Sequence, residues 1–303
     1  MRITKSLPGI LLLSLVCAIP ALPQQVAFTF DDLPTEGDLP DGQTRLQIAD
    51  SILSTLRNQH MPLVYGFINA VQLESEPENI VVLKAWRAAG EPLGNHSYDH
   101  SAIDKLTPAE FEADITKNEP LLTTLMPGQD WHWFRYPYLR EGETLEKRHI
   151  VRAWLRQNGY RIAHVSIDFQ DYLWNDPYAR CIAKNDTKSI DALQSTYLST
   201  ADQSITAFRK VTHALYGRDI PYVLLLHIGA FDAKMLPDLI ALFRQRGFTF
   251  ITLPEAIKDP AYAEDADIPL KYGGTIQEQL AAARHISFPP NSGPEKELEA
   301  TCR

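Results

Sequence analysis

Phe28-Thr29-Phe30-Asp31-Asp32 runs from apolar residues into two adjacent carboxylates. Neighbouring acids at the end of a strand point in different directions, so one can bind a cation while the other stays free to move a proton. His96-Ser97-Tyr98-Asp99-His100 sets two imidazoles four residues apart. On one helical turn that spacing puts both on the same face and lets them share the cation. A His, His, Asp set suits zinc or a similar divalent metal and leaves positions open for water and substrate. Three further groups stand at predicted strand ends. Arg135, before Tyr136-Pro137-Tyr138, is a fixed cation able to hold a carboxylate by two hydrogen bonds. Asp168 and Asp171 lie beside Tyr172 and Trp174, and His227 closes the apolar run Leu224-Leu225-Leu226. Taken singly, these are an Asp-rich turn, a chance His pair, a surface ion pair, a solvated loop and a core histidine. Their shared place at strand ends argues for one site.

The elements that must bring them together alternate. From Val26 onward short apolar runs trade with amphipathic stretches, the pattern of a β/α fold with a parallel sheet. Strands are predicted at Val26–Phe30, Pro62–Ile68, Pro92–Asn95, Phe134–Tyr138, Ile162–Phe169, Tyr222–Ile228 and Phe248–Leu253. Helices are predicted at Ile48–Leu56, Ile80–Ala89, Glu143–Asn158, Leu236–Gln245 and Ile276–Ala283. Another starts at Thr107, with Pro108 in the first turn and Glu110 three residues after the cap, and should end or kink near Glu119 at Pro120. Residues 175–218 are mostly polar with helical patches at Ile190–Tyr197 and Ile205–Tyr216. The simplest division is one catalytic domain over 26–259 and a C-terminal extension over 260–303.

The N-terminus carries Arg2 and Lys5, then an apolar run from Ile10 to Ile19, then Pro20 and Ala21. The run is too short for a membrane span and has the layout of a secretory signal peptide over residues 1–21, cleaved between Ala21 and Gln25. A secreted or periplasmic protein is expected. Lipid anchoring at Cys17 is disfavoured because Val16 is bulky where such a site wants a small residue. Losing Arg2 and Lys5 takes the net charge from −9 to −11. That balance argues against a nucleic-acid or anionic-membrane partner and is compatible with a neutral glycan. Cys181 and Cys302 then remain, and either pair in an oxidising compartment or stay as a buried thiol and a loose one.

Five blocks in order, from Asp31-Asp32 through His96–His100, Arg135–Tyr138 and Asp168–Asp171 to His227, resemble the polysaccharide deacetylases with the NodB homology domain, carbohydrate esterase family 4. The resemblance implies an α/β fold, a distorted (β/α) barrel with its site at the C-terminal ends of the strands. It implies Asp31 as general base and Asp32, His96 and His100 as ligands of a divalent metal ion, zinc or else cobalt, nickel or manganese. It further implies Arg135 orienting the base, the Tyr136 N–H holding the oxyanion, and His227 as general acid tuned by Asp171. The chain departs from the family at Leu33, where Gly is common, and at Tyr172, where Trp is common. Both bear on the shape of the cleft, where Tyr138, Tyr172 and Trp174 could stack on sugar rings. The long 175–218 segment is a candidate wall or lid.

The expected reaction is metal-dependent removal of N-acetyl groups from an acetylated glycan, of peptidoglycan or chitin type. An amide needs a proton donor because an amine anion is a very poor leaving group, so His227 favours N- over O-deacetylation. The rivals are an O-acetyl polysaccharide esterase and a non-catalytic carbohydrate-binding protein. The latter would have lost Asp31 or a ligand, and none is lost.

Overall fold

The computed structural model of the protein describes residues 24–288 and 293–303. The expected signal peptide over residues 1–21, with Cys17, lies outside the described residues. Seven parallel strands form one sheet: β1 (Gln24–Leu33), β2 (Tyr65–Ile68), β3 (Leu93–Asn95), β4 (Trp133–Phe134), β5 (Arg161–Ile162), β6 (Tyr222–His227) and β7 (Phe248–Phe250). The order is β5-β4-β3-β2-β1-β6, with β7 beside the start of β1. Val26 to Leu33 are all buried, as in a parallel sheet covered on both faces, which is why β1 reads as a nearly unbroken apolar run. The pairing of β1 with β6 runs in register from Val26 opposite Tyr222 to Asp31 opposite His227. Two groups almost 200 residues apart are thereby neighbours through backbone pairing alone.

The sheet curls into the expected distorted (β/α) barrel, and its seam departs from the predicted strand at Ile162–Phe169. Regular pairing there ends at Ile162. Beyond it the chain leaves β4, where the Ala163 N–H donates to the Phe134 carbonyl, and crosses to the opposite edge, where Ile167 bridges Leu224. A segment that must change edges cannot keep one ladder.

Thr107 caps the helix Pro108–Leu125 with a full capping box to Glu110, as its sequence predicts, but the helix runs through Pro120 instead of stopping at Glu119. Leu122 is fully buried, and Leu121 and Leu125 pack against the core. Burying such side chains at about 1.5–3 kcal/mol each outweighs the roughly 3 kcal/mol that an interior proline costs. Residues 175–218 form the helix Asn175–Ala183 and one continuous 30-residue helix, Thr187–Tyr216. Its apolar stripe, Leu193, Tyr197, Ala201, Ile205 and Phe208, docks sideways on the helices Ala230–Gln245 and Ile276–Ala283. No residue of 175–218 lines the cleft described below, so this segment is not its lid. Cys181 and Cys302 form a disulfide that fastens the C-terminal end of the chain to the helix Asn175–Ala183.

Candidate active site

The tips of β1, β3, β4 and β6 open into a cleft of about 610 Å³, within the usual range for small-ligand sites. Asp31 and Asp32 form its floor. The β1 register slips between Phe30 and Leu33, and Asp32 takes a positive φ of 63°, so the two carboxylates diverge. Asp31 Oδ2 faces Arg135 Nη1 at 3.3 Å, whereas Asp32 Oδ1 faces His100 Nε2 at 3.3 Å and His96 Nε2 at 3.5 Å. His96 Nε2 also lies 3.6 Å from Asp31 Oδ2.

The two histidines do not sit on a helical turn, contrary to the reading of their spacing. Residues 96–100 are a loop in which Ser97 and His100 have φ of 62° and 58°, and the turn folds the two rings to within 4.8 Å. The loop's amides are satisfied by side chains and not by the carbonyls of a helical turn of their own. Tyr98 and Asp99 N–H groups donate to the Asp114 carboxylate, and the Ser97 N–H donates to Asn95 Oδ1. Behind it lies a fully buried trio of asparagines that sequence reasoning missed. Asn69 donates to the His96 and Ser97 carbonyls, and Asn118 donates to the Ile68 carbonyl and to Asn95 Oδ1. His96 Nδ1 lies 2.8 Å from the Arg135 carbonyl, which can only accept, so Nδ1 carries the proton and the Nε2 lone pair faces the acids.

Arg135 is buried and fixed at each nitrogen: Nε donates to the Ala163 carbonyl at 2.6 Å and Nη2 to Thr29 Oγ1 at 3.0 Å, leaving Nη1 for Asp31. On the other side of the floor, His227 Nδ1–H donates to Asp171 Oδ1 at 2.9 Å, and its backbone N–H donates to Asp171 Oδ2 at 2.6 Å. His227 Nε2 points into the cleft, 3.9 Å from Asp32 Oδ2. A second buried acid, Asp232, stands behind Asp171 and was also missed. It accepts from Tyr197 Oη at 2.8 Å and Asn175 Nδ2 at 2.9 Å, and burial together with the Asp171 charge pushes its carboxyl well above the usual carboxylate range.

The electrostatics divide the groups by task. Burial raises Asp31 to about 6 against the opposing pull of Arg135 and His227. Burial lowers His100 to about 4 and His96 well below its usual value, so both imidazoles are neutral at pH 7. Burial also pulls His227 down, but the Asp171 charge and hydrogen bond, with Asp32 and Glu36, raise it well above the ordinary histidine value.

Asp32, His96 and His100 each bring one ligand atom to within 4.8 Å of the others. Asp32 Oδ1 is buried and has no hydrogen-bond partner, although it faces two bare imidazole nitrogens. A carboxylate oxygen and two neutral Nε2 atoms converging on one point fit a divalent cation, without selecting which.

The mouth of the cleft holds Tyr138, its ring tilted against His100 with centroids 4.5 Å apart, and Tyr172, edge-on to His227 at 5.2 Å. Trp174, expected as a third platform, is fully buried against Phe169 and Tyr197 and donates Nε1–H to Thr196 Oγ1, so it cannot reach a sugar. The Tyr136 ring packs into the core on Phe111 and Phe134, so its backbone is what borders the cleft. Part of the cleft wall comes from Gly273, Gly274 and Glu278, which no motif had marked.

The family model for polysaccharide deacetylase matches residues 19–163. A peptidoglycan-N-acetylglucosamine deacetylase of Bacillus cereus is 28% identical over 161 residues, which cover 53% of this chain and half the length of that protein. Among solved structures, the chitin deacetylase of Colletotrichum lindemuthianum aligns with a TM-score of 0.52 at 20% identity, over 78% of this chain and 88% of that one. A carbohydrate esterase family 4 pseudoenzyme of Bacillus anthracis aligns with a TM-score of 0.53 at 15% identity, over 78% of this chain and 66% of that one. The likeness to the two solved structures is one of fold. Residues 19–163 carry a polysaccharide deacetylase domain of the NodB type, and the proteins that the chain resembles in fold include members of carbohydrate esterase family 4.

Proposed function

We propose that the protein is an exported, metal-dependent deacetylase that removes N-acetyl groups from an amino-sugar glycan of peptidoglycan or chitin type. The observation that carries this reading is the separation of the two floor carboxylates. Asp32 Oδ1 is committed to His96 and His100, while Asp31 is held apart by Arg135 with Oδ1 unpaired. A ligand and a base are thus distinct groups at adjacent positions. A pseudoenzyme with this fold shows that the barrel alone does not make a catalyst, so the complete set of roles matters more than the likeness of shape.

A divalent cation held by Asp32, His96 and His100 would supply Lewis-acid polarisation of the acetyl carbonyl and acidify a water beside it. Asp31 takes a proton from the attacking water. With its carboxyl near 6, it is ionised at neutral pH yet a better base than an exposed aspartate. The Tyr136 N–H would stabilise the oxyanion. His227, protonated and anchored by Asp171, gives its Nε2 proton to the sugar nitrogen as the C–N bond breaks, leaving acetate and a free amine. Tyr138 and Tyr172 would flank the sugar. Export is supported by the apolar run Ile10–Ile19 and by a disulfide suited to an oxidising compartment.

The test is acetate release from N-acetylglucosamine oligomers with and without a chelator, alongside Asp31→Asn. Loss of release under both treatments is the expected result. A folded, metal-loaded protein that frees acetate only from O-acetylated glycans would turn the reading to an esterase. One that binds glycans without turnover would make it a binding protein.

A further inference from the structure

Residues 273–278 belong to the C-terminal extension, to which the proposed chemistry gives no task, yet Gly273, Gly274 and Glu278 line the cleft. Directly against them, Tyr138 and Leu139 both adopt left-handed backbone, with φ of 56° and 53°. Residues with a Cβ avoid that region, and two in succession persist only where the surroundings hold them. The turn closes on itself through Leu139 N–H to the Tyr136 carbonyl and Arg140 N–H to the Pro137 carbonyl. The outside support comes from the extension. Gly274 N–H donates to the Leu139 carbonyl at 3.3 Å, and Gly273 lies so close that an added Cβ would stand 1.7 Å from the Tyr138 oxygen. Glycine is required there by close approach of two backbones.

The glycine pair is itself anchored. Thr275 and Glu278 form a capping box that starts the helix Ile276–Ala283 directly after it. Gln279 Nε2 donates at 2.9 Å both to the Gly274 carbonyl and to Glu141 Oε1, and Arg148 Nη2 donates to Gln279 Oε1 at 3.2 Å. Glu141 and Arg148 are buried and paired, so the anchor reaches the body of the barrel. What this arrangement presents to solvent is the side chain of Tyr138, 56% exposed and tilted against His100.

We propose that the Gly273-Gly274 turn is a positioning element for substrate: it holds the left-handed Tyr138–Leu139 turn so that the Tyr138 ring stands at the cleft as a platform for a sugar unit. The proposal rests on the reading of the cleft as a glycan site. Its consequence is that specificity for the glycan is set partly by the extension, through residues that need not touch the reacting atoms.

The experiment uses the purified full chain, with acetate release from N-acetylglucosamine oligomers as one readout and amide hydrogen exchange over 136–142 as the other. Gly273→Ala is expected to raise KM about tenfold with kcat within about twofold, and to speed exchange at Leu139 and Arg140. Tyr138→Ala should raise KM to a similar extent, and adding Gly273→Ala to it should raise KM no further, because the two substitutions remove one interaction. A folded Gly273→Ala with parental KM and parental exchange overturns the proposal, as does full additivity. Should Gly273→Ala fail to fold, Thr275→Ala loosens the anchor without a clash. It is expected to raise KM roughly two- to threefold with the same exchange signature, and parental values in it also overturn the proposal. If the parent protein frees no acetate, the deacetylase reading fails while exchange still decides the clamp: faster exchange at Leu139 and Arg140 in Gly273→Ala keeps it, and unchanged exchange ends it.

Discussion

The floor and the rim of the cleft are held by different physics. On the floor the proposed base and acid, Asp31 and His227, stand at the tips of paired strands, and their neighbours hold them in place. Asp31 lies in register with His227, the Arg135 carbonyl orients His96, and Arg135 is itself tied to Ala163 and Thr29. On the rim, Tyr138 stands on a strained turn braced by a segment from the far end of the chain. Sheet register cannot slip by a fraction of a residue, so floor geometry is set to within a hydrogen bond. Loop packing can shift by small amounts. Substitutions on the floor should therefore act on kcat, and substitutions on the rim on KM.

His227→Ala is the strongest floor test. Loss of the proposed proton donor should lower kcat on an N-acetylated glycan by roughly 10²–10⁴-fold, and by clearly less on an activated O-acetyl ester whose leaving group needs no proton. Equal losses on both substrates would mean that His227 serves the floor by orientation and not by proton transfer. Asp171→Asn should cost less, roughly 10–10²-fold, and should change the shape of the pH profile. Asp171 raises His227, and the acid works only while protonated, so activity falls as pH rises through its pKa. Removing the carboxylate lowers that pKa, moves the falling limb to lower pH, and makes the loss at pH 8 larger than at pH 6. A uniform loss at all pH values would reduce Asp171 to a packing role.

These floor groups were legible because the chemistry demands particular residue types, and because β1 and β6, buried on both faces, announce themselves as apolar runs. What supports them was not. The four-residue spacing of His96 and His100 fits a helical turn as well as a loop with two positive φ angles, and the sequence does not choose between them. Asn118 sits on the apolar stripe between Ile115 and Leu122, where a buried amide leaves no local trace of the Ile68 carbonyl it serves. Asp232 falls in the first turn of its helix, an ordinary place for an acid, which hides its link to Asp171. The rim depends on contact between 138–139 and 273–274, a relation that periodicity cannot express.

The disulfide sharpens the comparison at the next lower magnitude. Cys302→Ser should destabilise the protein by about 2–4 kcal/mol, since the bridge closes a loop of more than 100 residues, and a urea titration would measure it. KM should stay within about twofold of the parent, because the Gly273-Gly274 turn is braced locally by Gln279 and the Thr275 cap. A large rise in KM would show that the rim is tensioned from the chain terminus and not from its own anchor.

The smallest effect separates two aromatic neighbours. Tyr172 is 39% exposed beside His227, whereas Trp174, two residues on, is at 0% and packs on Phe169 and Tyr197. Trp174→Phe removes the hydrogen bond to Thr196 and some volume, for an expected cost of about 1–2 kcal/mol in unfolding free energy and no change in KM. Tyr172→Ala should do the reverse, raising KM for oligomers while leaving the urea midpoint close to the parent's. The 3₁₀ turn Asp171–Trp174 fixes this division, because it carries Asp171 and Trp174 inward while Tyr172 stays at the mouth. Were Trp174→Phe to raise KM as well, the rim would extend into the core packing, and the distinction between a rigid floor and an adjustable rim would fail on the His227 side of the cleft.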